Sequence, residues 1–201
     1  QTPLSGIRII ESSLLGPAAI TTHLADLGAE VIKVESPSGD YIREMTWPII
    51  NGVSLLHLHI NRGKQSITLD LKQSEGVEIY RELVRGADVV VEAMRPGSLA
   101  KLGLGYQELR RENEKLVFIN ISGYGMTGPY RNLPAHGIAF DTWAGLVNPT
   151  YDDDGFCYIP EHPSMGMHAG PLFGALGILA AVLRARETGS GCMMEMGASG
   201  D

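Results

Sequence analysis

Short apolar runs alternate with segments of helical period along the first 120 residues, and this alternation is the main structural signal in the chain. Ile7–Glu11 reads as a short buried strand and Pro17–Leu27 as the helix after it. Pro17 suits a first helical turn and Gly28 a C-terminal cap. Ala29–Glu35 follows as a second strand, giving a βαβ unit whose strands should lie parallel with a right-handed crossover. Ile67–Leu71 is a third predicted strand, entered through Asn61-Arg62-Gly63-Lys64. Ser74–Val84 has helical spacing, with Val77, Tyr80, Leu83 and Val84 apolar and Ser74 as its candidate N-cap. Val89–Val91 and Leu116–Ile121 supply two more strands, with Tyr106–Asn113 as the helix between them. Strands and helices that alternate without internal repeats predict an α/β fold, a Rossmann-like parallel sheet with flanking helices.

After Pro129 the pattern changes. Ile138–Leu146 and Ala169–Arg186 have helical character and are separated by a polar loop, Asn148–Pro163. The second helix is apolar on nearly every side until Arg184, which predicts that other elements bury it. Its apolar run, Ala169–Leu183, is interrupted by Gly and Pro and is shorter than a membrane span. Met193–Met196 is the last predicted strand. No helix follows to cover it, so the expected fold is incomplete at the C-terminus.

Composition narrows the function classes. With 44% apolar and 19% charged residues, the chain has the balance of a soluble globular protein able to bury a core. A net charge of −7 argues against a general nucleic-acid binder, whose footprint would be basic, but leaves room for an anionic cofactor held by local Arg and Lys. Cys157 and Cys192 have neither metal-type spacing nor a disulfide framework. With no signal-peptide pattern at the start, a cytoplasmic protein without a membrane part is expected.

The stretch from Val89 to Tyr130 concentrates the candidate chemistry. Its two β-branched segments each end in a loop rich in Gly and Pro, Arg95-Pro96-Gly97-Ser98 and Ser122-Gly123-Tyr124-Gly125. Such loops put backbone N–H groups at the carboxyl ends of parallel strands, where α/β proteins bind ligands. The first strand is followed by Ser13-Leu14-Leu15-Gly16-Pro17 rather than GxGxxG, and the chain has no GxxxxGK[ST], GxSxG or HExxH. His57 and His59 in LLHLHI would share one face of a strand, but an isolated pair is more often structural than metal-binding. Asp152-Asp153-Asp154-Gly155 lacks the alternating ligands of a calcium loop, and no metal site is expected. Asn61-Arg62-Gly63-Lys64, Arg95 and Lys101 are cations near strand or loop ends, suited either to phosphates or to ordinary surface charge. His136, in Leu133-Pro134-Ala135-His136-Gly137, is either an acid–base group or a hydrogen-bonded core histidine.

Taken in order, several segments together resemble family III CoA-transferases. They begin with Leu4-Ser5-Gly6-Ile7-Arg8-Ile9-Ile10-Glu11 and the run from His23 to Glu35, HLADLGAEVIKVE. They continue through Asn61-Arg62-Gly63-Lys64-Gln65-Ser66-Ile67-Thr68-Leu69-Asp70-Leu71-Lys72 and Val91-Glu92-Ala93-Met94-Arg95-Pro96-Gly97. Lys101-Leu102-Gly103-Leu104-Gly105-Tyr106, Ile121-Ser122-Gly123-Tyr124-Gly125, Gly177-Ile178-Leu179-Ala180-Ala181 and Thr188-Gly189-Ser190-Gly191 complete the match. This CaiB/BaiF group includes formyl-CoA transferase, carnitine CoA-transferase and α-methylacyl-CoA racemase.

The resemblance implies a CoA-transferase acting on an acyl-CoA and a small carboxylic acid, with coenzyme A as substrate and no metal. Members are roughly twice this length and form interlocked dimers. Residues 1–201 would then be the N-terminal part of the large CoA-binding domain, in a homodimer or in a heteromer with a related subunit. It further implies that Leu69, Asp70, Leu71 and Lys72 lie by the adenosine, and that Ala93, Met94 and Arg95 lie by the phosphates and pantetheine. Lys101 stands where the family often has Arg, and Ala135 and His136 fall near the thioester. Ser36 replaces a common phosphate-binding Arg and Ala93 a common Asn, with Arg43 or Lys33 as candidates to compensate.

The family nucleophile is an Asp about ten or eleven residues before the Gly-Ile-Leu-Ala-Ala motif, and that count lands on Met167 or Gly166. Neither can form an acyl anhydride. Glu161 and His136 are the remaining candidate catalytic residues. The implied alternatives are a partner subunit that carries the Asp, racemase-like chemistry using His136, and a non-catalytic CoA-binding subunit.

Overall fold

The computed structural model describes residues 2–134, 137–161 and 165–198. In chain order its first half comprises β1 (Arg8–Ser12), α1 (Gly16–Asp26), β2 (Glu30–Glu35), a 3-10 turn (Tyr41–Glu44), β3 (Ile49–Ile50), β4 (Val53–Ser54), α2 (Leu55–Asn61), β5 (Gln65–Thr68) and α3 (Ser74–Arg85). Then follow β6 (Val89–Glu92), α4 (Ser98–Lys101), α5 (Tyr106–Leu109), β7 (Val117–Ser122), α6 (Ile138–Trp143), β8 (Thr150–Tyr151), β9 (Cys157–Tyr158), α7 (Met165–Thr188) and β10 (Met193–Gly197).

Six strands form one sheet in the order β10-β7-β6-β1-β2-β5, with every neighbouring pair parallel. The chain winds outward through β1, β2 and β5, then returns to the other side of β1 and winds through β6, β7 and β10. This is the Rossmann strand order, and the reversal between β1 and β6 opens a crevice at the carboxyl ends of those strands.

Alternate strand residues build two cores. Ile9, Val91, Val117 and Ile119 face α1 and α7 and pack with Ile20, Leu24, Ile178 and Val182. Ile10, Val90 and Phe118 face α3, α4 and α5, packing with Tyr80, Val84, Leu99 and Leu109. Because helices cover both faces, the central strands read as continuous apolar runs rather than as alternating ones.

Several boundaries differ from the predicted ones for identifiable reasons. The third long strand begins at Gln65 rather than Ile67, since its register pairs Ile32 with Gln65 and Glu35 with Thr68. Leu69 and Leu71 instead turn into the second core. The helix predicted over Tyr106–Asn113 stops at Leu109. Asn113 is turned to α3, where its amide donates to the Val84 and Ala87 carbonyls at 3.1 and 2.7 Å. Ser74 is the first helical residue rather than the cap, and its hydroxyl bonds Glu75. The polar loop carries a small exposed hairpin, β8–β9.

His57 and His59 lie on helix α2, not on a strand. Two residues apart on a helix is about 200° of rotation, so they do not share a face. His57 is buried, His59 is exposed, and among the described residues no group of three or more His, Cys, Asp or Glu is placed to hold a metal ion.

The helix predicted over Ala169–Arg186 is longer than expected. Its His168–Thr188 segment is long and apolar enough, by length and composition, to cross a membrane. Ala175, Ile178, Ala181, Val182 and Ala185 bury one face of it in the first core, but Leu172, Phe173, Leu176 and Leu183 are exposed, so the expected burial on nearly every side is met on one face only.

Candidate functional site

Two loops flank the crevice at the switch point, Ser13–Leu15 after β1 and Ala93–Gly97 after β6. They are tied together where the Ala93 N–H donates to the Ser12 carbonyl at 3.1 Å. Leu15 holds φ 53° and ψ −133°, a backbone region suited to glycine, at a cost of about 1–3 kcal/mol. In the second loop Gly97, at φ 77°, turns the chain from Pro96 into α4. Glu92 is buried at the end of β6 and accepts from the Leu99 N–H at 3.2 Å; burial raises its carboxyl above the ordinary range.

Of the residues expected near CoA, those in the described part follow β5 and β6. Met94 and Arg95 are exposed on the β6 loop, Lys101 is exposed on α4, and Ala93 packs against the first core. Beyond β5, the Asp70 carboxylate accepts from the Lys72 N–H at 3.0 Å, forming a tight turn that leaves Lys72 exposed. Leu69 and Leu71 point into the second core and leave only backbone for a ligand. Ala135 and His136 lie outside the described residues.

Gly166 stands in the first turn of α7. Its N–H donates to Asp141 Oδ1 at 2.8 Å, and a Cβ on residue 166 would meet the same oxygen at 2.9 Å. The position therefore suits glycine, with the carboxylate of α6 satisfying an N–H at the start of α7. Gly166 also lines a pocket with Leu15, Ile121, Phe140, Pro171 and Met196. Tyr124 braces that wall, with ring centroids 5.6 Å from Phe140 and 5.3 Å from Trp143. Met167 follows in the same helix, and Glu161 is exposed on the segment after β9. Nothing in Phe140-Asp141-Thr142 marks Asp141 as the partner of a residue 25 positions later; only the fold brings α6 to the start of α7.

The cations beside β2 are engaged elsewhere. Lys33 Nζ lies 3.1 Å from Glu11 and 3.3 Å from Asp40, and Lys64 Nζ lies 2.8 Å from Glu11, with all four side chains at most 2% exposed. Lys33 also donates to the Ser13 carbonyl and Lys64 to the Ala18 carbonyl, the latter at 2.7 Å. Thr21 donates to the second oxygen of Glu11. Burial pushes Lys64 down to about 8 against the pull of Glu11. Burial would raise Glu11, but Lys64 and Lys33 outweigh it and hold the carboxyl below its usual range.

Lys33 is therefore closed off from any phosphate, contrary to its candidacy as a replacement for the missing Arg. Arg43 spends its fork on Glu35, at 3.2 and 2.7 Å, and Arg62 spends its own on Asp26. Burial opposes ionisation of Glu35, but hydrogen bonds from Arg43 and Ser66 bring its pKa down to about 2.

Comparison with known proteins gives this geometry a relationship. The family model described as CoA-transferase family III matches residues 4–199. The beta subunit of succinyl-CoA–L-malate CoA-transferase from Chloroflexus aurantiacus is 35% identical over 94% of this chain and 47% of its own length. The alpha subunit from that organism is 36% identical over 98% of this chain. Succinyl-CoA:glutarate CoA-transferase from Mus musculus is 38% identical over 96% of this chain and 44% of its own length. A solved CaiB/BaiF family protein from Brucella suis superposes with a TM-score of 0.87 at 34% identity, covering 98% of this chain and 53% of that one. The chain spans about half the length of the curated relatives it matches. With the family model matching nearly its whole length, the chain belongs to the family III CoA-transferases.

Proposed function

We propose that this chain is the CoA-binding part of an enzyme that moves CoA between an acyl-CoA and a carboxylic acid, with the nucleophilic carboxylate supplied by a related partner subunit. The observation that carries this reading is Gly166. The expected nucleophile position falls on it or on Met167, and Gly166 opens on the pocket with its N–H held by Asp141.

The transfer needs an ionised carboxylate at that point. Its oxygen attacks the thioester carbonyl, the C–S bond breaks, and a mixed anhydride and CoA thiolate result. The thiolate then attacks the enzyme's acyl carbon, which releases the donor acid and leaves an enzyme-bound CoA thioester. The acceptor carboxylate runs both steps in reverse. Neither Gly166 nor Met167 offers such an oxygen. In this reading Arg95, Lys72 and Lys101 meet the CoA phosphates, and the Ala93–Met94 backbone runs beside the pantetheine. That a relative is named as alpha and beta subunits supports a two-subunit enzyme here.

Reconstitution tests the proposal. This protein and the related subunit that co-purifies with it should each be inactive when separated and should transfer CoA when mixed. Transfer at the full rate by this protein alone would overturn it.

A further inference from the structure

We infer that the pocket beside Gly166 takes the acyl group of the thioester and selects a short acyl chain that carries no charge at its far end. This rests on the CoA-transfer reading above and names its substrate class.

The pocket walls are Leu15, Ile121, Phe140, Pro171 and Met196, with glycine, proline and alanine filling in between. Among the described lining residues, none has a charged or hydrogen-bonding side chain. The carboxylate nearby carries the wrong sign for an anionic tail: Asp141 sits against Gly166. With no cation among the described lining residues, a second carboxylate set against these walls would lose its hydration unreplaced, which is costly in an apolar setting. A terminal methyl would gain from the same walls.

Size points the same way. The cavity is about 90 Å³, against roughly 150 Å³ for an apolar cavity that holds a benzene ring. That is room for an acyl group of a few carbons. The relatives described above are named for succinyl-CoA, which keeps one free carboxylate beyond its thioester, with malate or glutarate, which have two each. The inference therefore separates this chain from them in specificity.

Butyryl-CoA and succinyl-CoA make the sharpest pair, since they share chain length and differ by a methyl against a carboxylate. Titration calorimetry on the intact protein, with its partner subunit where one co-purifies, should show butyryl-CoA binding at least about tenfold tighter than succinyl-CoA. Equal or tighter binding of succinyl-CoA, with free CoA still bound, would overturn the inference and leave the CoA-transfer reading intact. Failure of free CoA to bind would overturn both. Met196→Arg places a cation at the wall and should shift the ratio toward succinyl-CoA. An unchanged ratio in that variant, once it is shown to be folded, puts the acyl group elsewhere and sinks the inference.

Discussion

Two regions flank β1 on one face of the sheet, and they spend their polar groups in opposite ways. Toward β2, Glu11, Lys33, Lys64 and Asp40 form a buried ionic cluster in which opposite charges answer each other. Toward β7 and β10, around Gly166, the pocket walls are apolar and the nearest carboxylate is bound to a backbone N–H. The first region is closed by its own ion pairs, so it positions the strand ends without contacting ligand. The second keeps open apolar surface, which is what a substrate group can displace water from. Charged side chains at the strand ends are thus a poor guide to open space here, because this cluster fills its own surroundings.

Removing Glu11 attacks the closed region most directly. Glu11→Ala leaves Lys33 and Lys64 buried without their shared counter-ion, and should cost about 3–5 kcal/mol in urea unfolding. A loss below about 1 kcal/mol would mean that water reaches the cluster.

Acid titration probes its rim. Glu35 has its pKa held down to about 2, so its contribution is complete above its ordinary value of 4.5 and is lost as pH falls from there toward 2. Unfolding midpoints should drop through that window in the native chain and flatten in Glu35→Gln. An equal slope in both would assign the acid sensitivity to other carboxylates.

Smaller effects belong to the open region. Asp141→Ala removes the acceptor for the Gly166 N–H and should cost about 1–2 kcal/mol, while Asp141→Asn keeps an acceptor and should cost less. Equal losses would show that charge rather than hydrogen bonding holds α7. Leu15→Gly relieves a strained backbone but deletes a pocket wall. It should raise the melting temperature slightly, the gain limited to about 1 kcal/mol by glycine's entropy, and weaken acyl-CoA binding. Unchanged binding would remove Leu15 from the site.

Sequence patterning reveals the sheet well, because the strands are buried on both faces and their apolar runs are unbroken. It fails between β2 and β5. There the 3-10 turn, β3, β4 and α2 carry no clear period, and His57 and His59 imitate strand alternation. Lys33 and Lys64 show the deeper limit. Their partners lie 22 and 53 positions from them in sequence, so two buried ion-pair members are indistinguishable from surface cations until β1 and β2 are side by side. At the candidate site, the loops were legible from their glycines and prolines. The bond between Asp141 and Gly166 was not, since it depends on α6 meeting the start of α7.

The central claim is that this chain binds the thioester without forming a bond to it. Mass spectrometry of the intact complex, quenched with hydroxylamine or borohydride during turnover of an acyl-CoA, tests it most directly. The account predicts a hydroxamate or a reduced carboxylate on a peptide of the partner subunit, with every peptide of this chain unmodified. A covalent acyl or CoA adduct on this chain would contradict it.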